Sequence, residues 1–243
     1  MKGNRKHWQS LVAVMAVVGG LMMTWTVSVA HSDDTQSPVI PRNSSAYGNT
    51  YGEWSARWWQ WVLSIPEDTN PNLDTTGENC AEGQAGPVWF LAGMFTGGKV
   101  TRNCTVPAGK ALFFPILTGV FGSAVFDCDP TVPGVLCNLA ALRIASVGSM
   151  DEVKLKARID GESVMNLKSG QRVTSPEFTL TIPDNGVFDI PRCTYRPQVA
   201  DGYWLMIKPL SPGAHTIRFK GEITGGVFVG QVIEVTYNLT VGP

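Results

Sequence analysis

The sequence has few charged residues: Asp, Glu, Lys and Arg make up 16% of its 243 residues, against about 25% in an average soluble protein. Its lysines and arginines are scattered singly, and phosphate backbones are bound by concentrated positive faces, so we expect no nucleic-acid partner. G-x-G-x-x-G and phosphate-loop motifs are absent, which argues against a nucleotide cofactor. With three histidines and neither G-x-S-x-G nor S-x-x-K, the sequence offers little for nucleophilic catalysis.

Long hydrophobic runs are also scarce, and the single one lies near the start of the chain. A positively charged start precedes an uncharged apolar run over 11–27, and Ser28–Ala30 supplies the small residues that a signal peptidase recognises. This pattern predicts a signal peptide over 1–30 that is removed. A retained membrane anchor is the alternative, but the run is shorter than the roughly 20 residues that span a bilayer. We expect a secreted or periplasmic protein with no membrane span after cleavage.

The rest of the chain divides into a short arm and one domain. Residues 31–46 are polar and contain two prolines, a composition that predicts a flexible N-terminal arm or an extended lead-in to the domain. Residues 47–243 are long and apolar enough for a single folded domain with its own core. The 26 glycines and 16 prolines of the chain predict frequent turns and few long helices.

The five cysteines are an odd number for an exported protein, in which cysteines usually pair. The short spacing makes Cys128–Cys137 the first candidate disulfide, and Cys80–Cys104 is the second, which leaves Cys193 free. Metal binding is the weaker alternative because no C-x-x-C spacing occurs.

The sharpest local pattern is rich in tryptophan. Thr50 and Glu53 have the spacing of a capping box, which predicts a helix start, and Pro66 ends the helix. Trp59 and Leu63 project away from the main apolar face, so either the helix is covered on two sides or Trp59 is exposed for binding. The main face consists of residues at helical spacing: Trp54, Trp58, Trp61, Val62 and Ile65.

Most of the remaining chain has the two-residue period of β-strands. Apolar and polar residues alternate over 153–159, 178–182 and 227–241, and strands are also predicted over 87–92, 110–117, 203–210 and 215–221. A second, short helix is predicted over 136–147. We therefore expect a mainly β fold, an antiparallel β-sandwich that is Ig-like or jelly-roll-like, with the Trp-rich amphipathic helix packed across it.

One segment carries a resemblance. Asp201–Gly221, which reads DGYWLMIKPLSPGAHTIRFKG, together with the Trp-rich helix, resembles a family of uncharacterised secreted bacterial proteins. The likeness runs over most of the chain after the leader. It implies export, and no activity is known for that family.

Two metal sites are candidates, although we expect no cofactor. His31 becomes the first residue after cleavage, and its amine and imidazole, with His215, can supply three nitrogens to copper. That arrangement resembles the site of lytic polysaccharide monooxygenases, which are secreted β-sandwiches. A calcium loop is the second candidate, although glycine is missing at its sixth position and glutamate at its twelfth: Asp68, Asn70, Asn72 and Asp74.

Aromatic side chains are the remaining functional resource. Trp59, Tyr203 and Trp204 are the candidates for a surface that binds a ligand, since aromatic faces stack on sugar rings and recur at binding hot spots. The alternative is that these rings build the core. The sequence predicts a non-catalytic binding or structural protein whose ligand is a carbohydrate or another protein of the cell envelope. The alternative is a secreted enzyme acting on polysaccharide, either a copper oxidase or a carboxylate-based hydrolase or lyase.

Overall fold

The predicted mainly β fold is confirmed. The computed structural model describes residues 37–122 and 138–242, which belong to one compact unit. Strands account for 43% and helices for 17% of the structure. The predicted signal peptide, His31 and the Cys128–Cys137 pair lie outside the described residues.

Three helices and ten strands are assigned within those two ranges. The helices are α1 (Tyr51–Leu63), α2 (Leu139–Gly148) and α3 (Leu167–Gly170). The strands are β1 (Val88–Phe90), β2 (Gly98–Pro107), β3 (Ala111–Gly122), β4 (Val153–Ile159), β5 (Glu162–Ser163), β6 (Arg172–Thr174), β7 (Phe178–Ile182), β8 (Cys193–Ile207), β9 (Gly213–Ile223) and β10 (Val232–Gly242).

The strands form two five-stranded sheets. In the first sheet the order is β1-β3-β8-β6, and β7 also pairs with β8. In the second sheet the order is β2-β10-β9-β4-β5. Two pairs, β1 with β3 and β2 with β10, are parallel, so the prediction of purely antiparallel sheets is wrong. A parallel pair needs a crossover connection. Between β1 and β3 the chain crosses to the other sheet and forms β2. The alternation of residues along a single strand does not reveal such a crossover.

The two sheets stack on each other and α1 covers the outer face of the first sheet. Phe114 of β3 stacks on Phe219 of β9 across the sheet interface, with ring centroids 5.1 Å apart. The neighbouring Phe113 points to the opposite face and stacks on Trp204, 5.1 Å away. Trp58 of α1 meets Trp204 edge-on at 5.4 Å. The first sheet therefore separates two apolar cores, one against the second sheet and one against α1.

The capping box of α1 is confirmed. The Thr50 hydroxyl accepts from the Glu53 amide, and the Glu53 carboxylate accepts from the Thr50 amide at 2.7 Å. Trp59 and Leu63 are buried like the main apolar face, so the helix is covered on two sides. The second predicted helix is also present, as α2, with Asn138 as its N-cap.

Two strand predictions need correction. The strand β2 is missing from the sequence prediction, and residues 224–231 form a loop before β10 instead of the start of a strand. In the N-terminal segment, Val39 bridges to Ile207 and the Ile40 amide donates to the Met206 carbonyl at 2.8 Å, as in an extended lead-in. This part of the arm therefore adds to the first sheet, because the end of β8 leaves backbone groups free there for pairing.

One predicted disulfide is confirmed. Cys80 and Cys104 are bonded, which ties the loop before β1 to β2. Cys193 is a free, exposed cysteine.

Candidate functional site

An apolar cavity of about 220 Å³ lies where the C-terminal half of α1 meets β3 and the loop that leads into β10. Its volume corresponds to about seven water molecules at ~30 Å³ each. The residues that line its inner part come from α1, β3 and the strands of the second sheet: Trp58, Trp59, Leu63, Ile116, Leu117, Val120, Ile223 and Ile233.

The lining contains no charged side chain among the residues that the structure describes. Its polar side chains belong to four residues: Asn72, Thr118, Ser149 and Gln231. The Thr118 hydroxyl is already engaged, because it donates to the Asp201 carbonyl at 3.1 Å and accepts from the Trp59 indole N–H at 3.4 Å. An uncharged, mostly apolar wall is typical of sites that bind small apolar molecules.

Asn72 is the exceptional polar group of this wall. Its exposed fraction is 4%, and its side-chain Oδ1 has no hydrogen-bond partner. Its backbone is held on both sides: the amide donates to Asn70 Oδ1 at 3.0 Å, and the carbonyl accepts from Arg102 Nη2 at 3.3 Å. A buried carbonyl oxygen without a partner costs about 1–3 kcal/mol, so Asn72 adds an unsatisfied oxygen behind the cavity wall.

Arg102 fixes the loops behind this wall. Its buried guanidinium donates to the backbone carbonyls of Asp74 at 2.7 Å, Ala92 at 3.0 Å and Gly93 at 2.8 Å. It also donates to the Tyr237 hydroxyl at 3.1 Å and lies over the Tyr237 ring. All three guanidinium nitrogens are thus used on the protein itself, so Arg102 orders the cavity wall without facing a ligand.

Aromatic side chains form the rim of the cavity, defined here as Phe95, Phe188 and Phe228. Phe95 and Phe188 meet edge-on with ring centroids 4.9 Å apart, and Phe188 and Phe228 are 57% and 43% exposed. Phe188 has a φ of 66°, a left-handed conformation that is strained for an aromatic residue. Val227, which precedes Phe228 in the chain, is 94% exposed. The cavity therefore meets solvent at an apolar edge.

The predicted aromatic binding residues occupy different places. Trp59 lines the cavity, with 7% of its surface exposed. Tyr203 and Trp204 are buried on opposite faces of the first sheet, and Tyr203 donates to the Met150 carbonyl at 3.0 Å. The prediction of a sugar-stacking surface at Tyr203 and Trp204 is wrong, because successive strand residues point into the two cores.

The predicted calcium loop uses its oxygens to build turns. Asn70 is buried, donates to the carbonyls of Val62 and Ile65, and accepts from the Asn72 amide. Asp68 Oδ1 accepts from Asn185 at 3.4 Å.

The Asp74 carboxylate accepts from the amides of Thr76, Gly77 and Asn79. Burial alone would raise the pKa of Asp74, but these hydrogen bonds outweigh it and lower the pKa. The oxygens of Asn70 and Asp74 are thus committed to backbone groups, which contradicts the calcium interpretation for these residues.

His215 is engaged at both ring nitrogens. Its Nδ1 lies 2.8 Å from Asp160 Oδ2, and its Nε2 lies 2.9 Å from the Ser211 carbonyl oxygen. Because both partners are acceptors, this geometry favours the doubly protonated imidazolium. Burial lowers the pKa of His215, but the Asp160 and Ser211 hydrogen bonds outweigh it and raise the pKa. No cluster of three His, Cys, Asp or Glu side chains suited to a metal ion occurs in the two described ranges.

Ser211 contacts His215 and His215 contacts Asp160, as in a Ser–His–Asp catalytic triad. Here these contacts stabilise a surface turn. The Ser211 hydroxyl is 3.4 Å from His215 Nε2, and that nitrogen already donates to the Ser211 carbonyl. In the imidazolium form that these contacts favour, Nε2 has no lone pair with which to accept the hydroxyl proton.

The carboxylates of Asp151 and Asp201 belong to an ion-pair network. Arg172 bonds to Asp151 at 2.7 Å and to Asp201 at 2.8 Å. The Asp201 side chain is fully buried and also accepts from the Thr174 hydroxyl. Burial raises the pKa of Asp201, and the Thr174 and Arg172 contacts oppose this. The Asp201 carboxylate therefore links β6 to β8. Because it is buried and fully hydrogen-bonded, it does not fit the role of the acid or base in a polysaccharide hydrolase.

Comparisons of the chain with protein-family models, curated proteins and solved structures find no match. The resemblance to secreted Trp-rich proteins therefore stays a prediction. Within residues 37–122 and 138–242, no helix has the length and apolar character needed to cross a bilayer.

Apart from Trp59 and Asn72, the residues that line the cavity are not among the binding or metal-site candidates predicted from the sequence. Arg102 has a recognisable signal, because it occupies an inward position of a strand in which Val100, Cys104 and Val106 are also inward. The rim has no such signal, since its three phenylalanines come from three separate loops.

Proposed function

We propose that the protein is a secreted or periplasmic, non-catalytic binding protein whose ligand is a small, uncharged, apolar molecule held in the cavity. The observation that carries this proposal is the uncharged wall, which combines Trp59 with aliphatic side chains and leaves one polar group without a partner. Apolar pockets with few polar groups are the usual sites for such ligands. The volume suits a molecule of about eight to ten heavy atoms that extends toward the rim.

The exposed rim supports this assignment. Exposed aromatic side chains cost solvation free energy, and a strained residue such as Phe188 persists where the surroundings enforce it. Both features lie at the point where the cavity meets solvent. A carbohydrate ligand has weaker support, because the rings of Tyr203 and Trp204 are buried.

The test fills the cavity with a larger side chain and measures how tightly the protein then binds 1-octanol, the probe ligand. Ser149 lines the cavity and caps α2, and its hydroxyl donates to the carbonyl of Ser146 at 2.8 Å. Ser64 is the matched control, since it caps α1 with the same kind of bond to Trp61 at 2.8 Å and lies outside the lining. We expect Ser149→Trp to weaken octanol binding at least tenfold by titration calorimetry, and Ser64→Trp to leave it unchanged.

Equal octanol affinities for the wild type and Ser149→Trp would contradict binding in this cavity. Absence of octanol binding to the wild type would contradict the proposal as a whole. Export is tested separately: a mature N-terminus at His31 in the exported protein supports it, and an intact 243-residue chain in the cytosol contradicts it.

A further inference from the structure

The outer face of the second sheet, which points away from both cores, concentrates positive charge. The whole chain has a formal charge of −1, but on this face cations outnumber carboxylates. The outward side chains of β2, β4, β9 and β10 include the cations Lys99, Lys154, Lys156, Arg158, Arg218 and Lys220 and the carboxylates Glu222 and Glu234. Strand pairing thus assembles a basic surface from residues that are scattered singly along the sequence.

Four of these cations form a block, called here the basic cluster: Lys156, Arg158, Arg218 and Lys220. In the antiparallel pair of β4 and β9, Lys156 lies directly opposite Lys220 and Arg158 directly opposite Arg218. The four residues line one shallow surface groove. Like charges that face each other across two strands destabilise a sheet, so the fold keeps this arrangement at a cost in stability.

The two carboxylates of the face do not neutralise the basic cluster. Glu222 pairs with Lys154 at 3.4 Å, and Glu234 pairs with Lys99 at 3.4 Å. Glu234 also lies opposite Lys220 and lines the same groove, so it offsets one of the four charges at most. Within the residues that the structure describes, no salt bridge involves a member of the basic cluster. An anionic ligand would supply the missing charge.

We propose that the basic cluster binds a linear anionic polysaccharide of the polyuronate class, which lies across β4, β9, β10 and β2. Carboxylates form charge-assisted hydrogen bonds with guanidinium and ammonium groups. Neighbouring strands are about 4.8 Å apart, so a sugar chain across the four strands meets binding groups over about 14 Å. Beyond the cations it reaches hydroxyl and amide side chains that can bind sugar hydroxyls: Thr101, Asn103, Asn238 and Thr240.

The composition of this face favours a polysaccharide over other polyanions. The outward positions of these four described strands contain no aromatic side chain and no leucine, isoleucine or methionine. Single-stranded nucleic acids are bound by aromatic platforms on which bases stack. Protein interfaces are anchored by buried aromatic residues, and peripheral membrane binding requires large apolar side chains that enter the bilayer. A flat, polar and basic surface suits a hydrated, charged sugar chain.

This site is separate from the cavity of the proposed function. Ile223 and Ile233, which line the cavity, belong to the inward positions of β9 and β10, whereas the basic cluster points outward. The polysaccharide site therefore goes beyond the proposed function and can be tested independently of it.

The test measures binding of oligogalacturonate by titration calorimetry in about 50 mM NaCl, with a neutral dextran oligosaccharide of equal length for comparison. We expect the wild type to bind oligogalacturonate, to lose affinity as the salt concentration rises, and not to bind dextran, because exposed charges are screened by salt. Absence of oligogalacturonate binding, or equal binding of dextran, would overturn the proposal. Tighter binding of single-stranded DNA or of phosphatidylglycerol vesicles would overturn the assignment to a polysaccharide.

Two pairs of substitutions locate the site. We expect Arg158→Gln/Arg218→Gln to weaken oligogalacturonate binding at least about fivefold, since each exposed ion pair contributes a factor of about two to five. Lys156→Gln/Lys220→Gln should have a similar effect, and it decides the location if the arginine variant does not fold.

The matched control is Arg57→Gln/Arg192→Gln, which removes the same charge from exposed positions on α1 and before β8. The control should keep the wild-type affinity. Equal losses in the control and in the cluster variants, or no loss in the cluster variants, would overturn the site. All these variants should bind 1-octanol like the wild type, so failure of the polysaccharide site and failure of the proposed function are distinguishable.

Discussion

At the scale of single residues, Arg102 anchors the loops that lie behind the cavity wall. It is a buried cation whose hydrogen bonds go to the loops at residues 72–74 and 92–93 and to Tyr237. Burying a charge is costly unless it is fully hydrogen-bonded, and here backbone carbonyls supply the partners. The desolvation cost of Arg102 is therefore offset by these hydrogen bonds, which order two loops beside the cavity.

Removal of this guanidinium should destabilise the fold. We expect Arg102→Met to lower the free energy of unfolding by about 3 kcal/mol or more, because several buried carbonyls lose their donor at once. Urea unfolding measures the change. Arg218→Met is the control, since Arg218 lies on the exposed face of the same sheet and donates to Thr236. A loss no larger than that of the control would contradict the role assigned to Arg102.

The His215–Asp160 pair should make stability depend on pH. The folded pKa of His215 is raised above its usual value, so the stabilisation is complete below the unfolded pKa of about 6.5 and is lost as the pH rises through the folded pKa. We expect His215→Gln to cost about 1 kcal/mol or less near pH 5.5, and clearly less near pH 9. Urea unfolding at both pH values checks this. A cost that is the same at both, or larger at high pH, would count against the ion pair.

At the scale of secondary structure elements, β2 is a strand that the sequence analysis did not predict. Its inward positions alternate along the strand, but a cysteine and an arginine occupy two of them, so it lacks the apolar run that identifies a strand. Helix α1 and strand β4 are predicted to within a few residues, because the capping box and the alternation are local signals. The parallel pairings and the cavity depend on contacts between distant segments, which no local pattern encodes.

Strand β2 has a weak apolar pattern, and the disulfide adds a covalent link that anchors it. It links Cys104 to Cys80 across a sequence separation of 24 residues, and closing a loop of that size stabilises a fold by about 3 kcal/mol. We expect the double variant Cys80→Ala/Cys104→Ala to lose about that amount in chemical unfolding. Cys193→Ala should change stability little, because that thiol is free and exposed. Comparable losses in the two variants would show that the bridge adds nothing.

At the scale of the whole molecule, the cavity lies where three layers meet: α1, the first sheet and the second sheet. The helix α1 packs on one face of the first sheet and the second sheet packs on the other. Trp59 of α1, β3 and the start of β10 all reach the same edge. The cavity is therefore a product of the layer arrangement, and its rim is formed by the segments that precede β2, β8 and β10.

The most direct measurement is the anomalous diffraction of a bromine atom in crystals soaked with 8-bromo-1-octanol. The account predicts a bromine peak inside the cavity, between Trp59 and the rim. Bromine peaks confined to other surfaces, or an empty cavity at a saturating concentration of the probe, would contradict it.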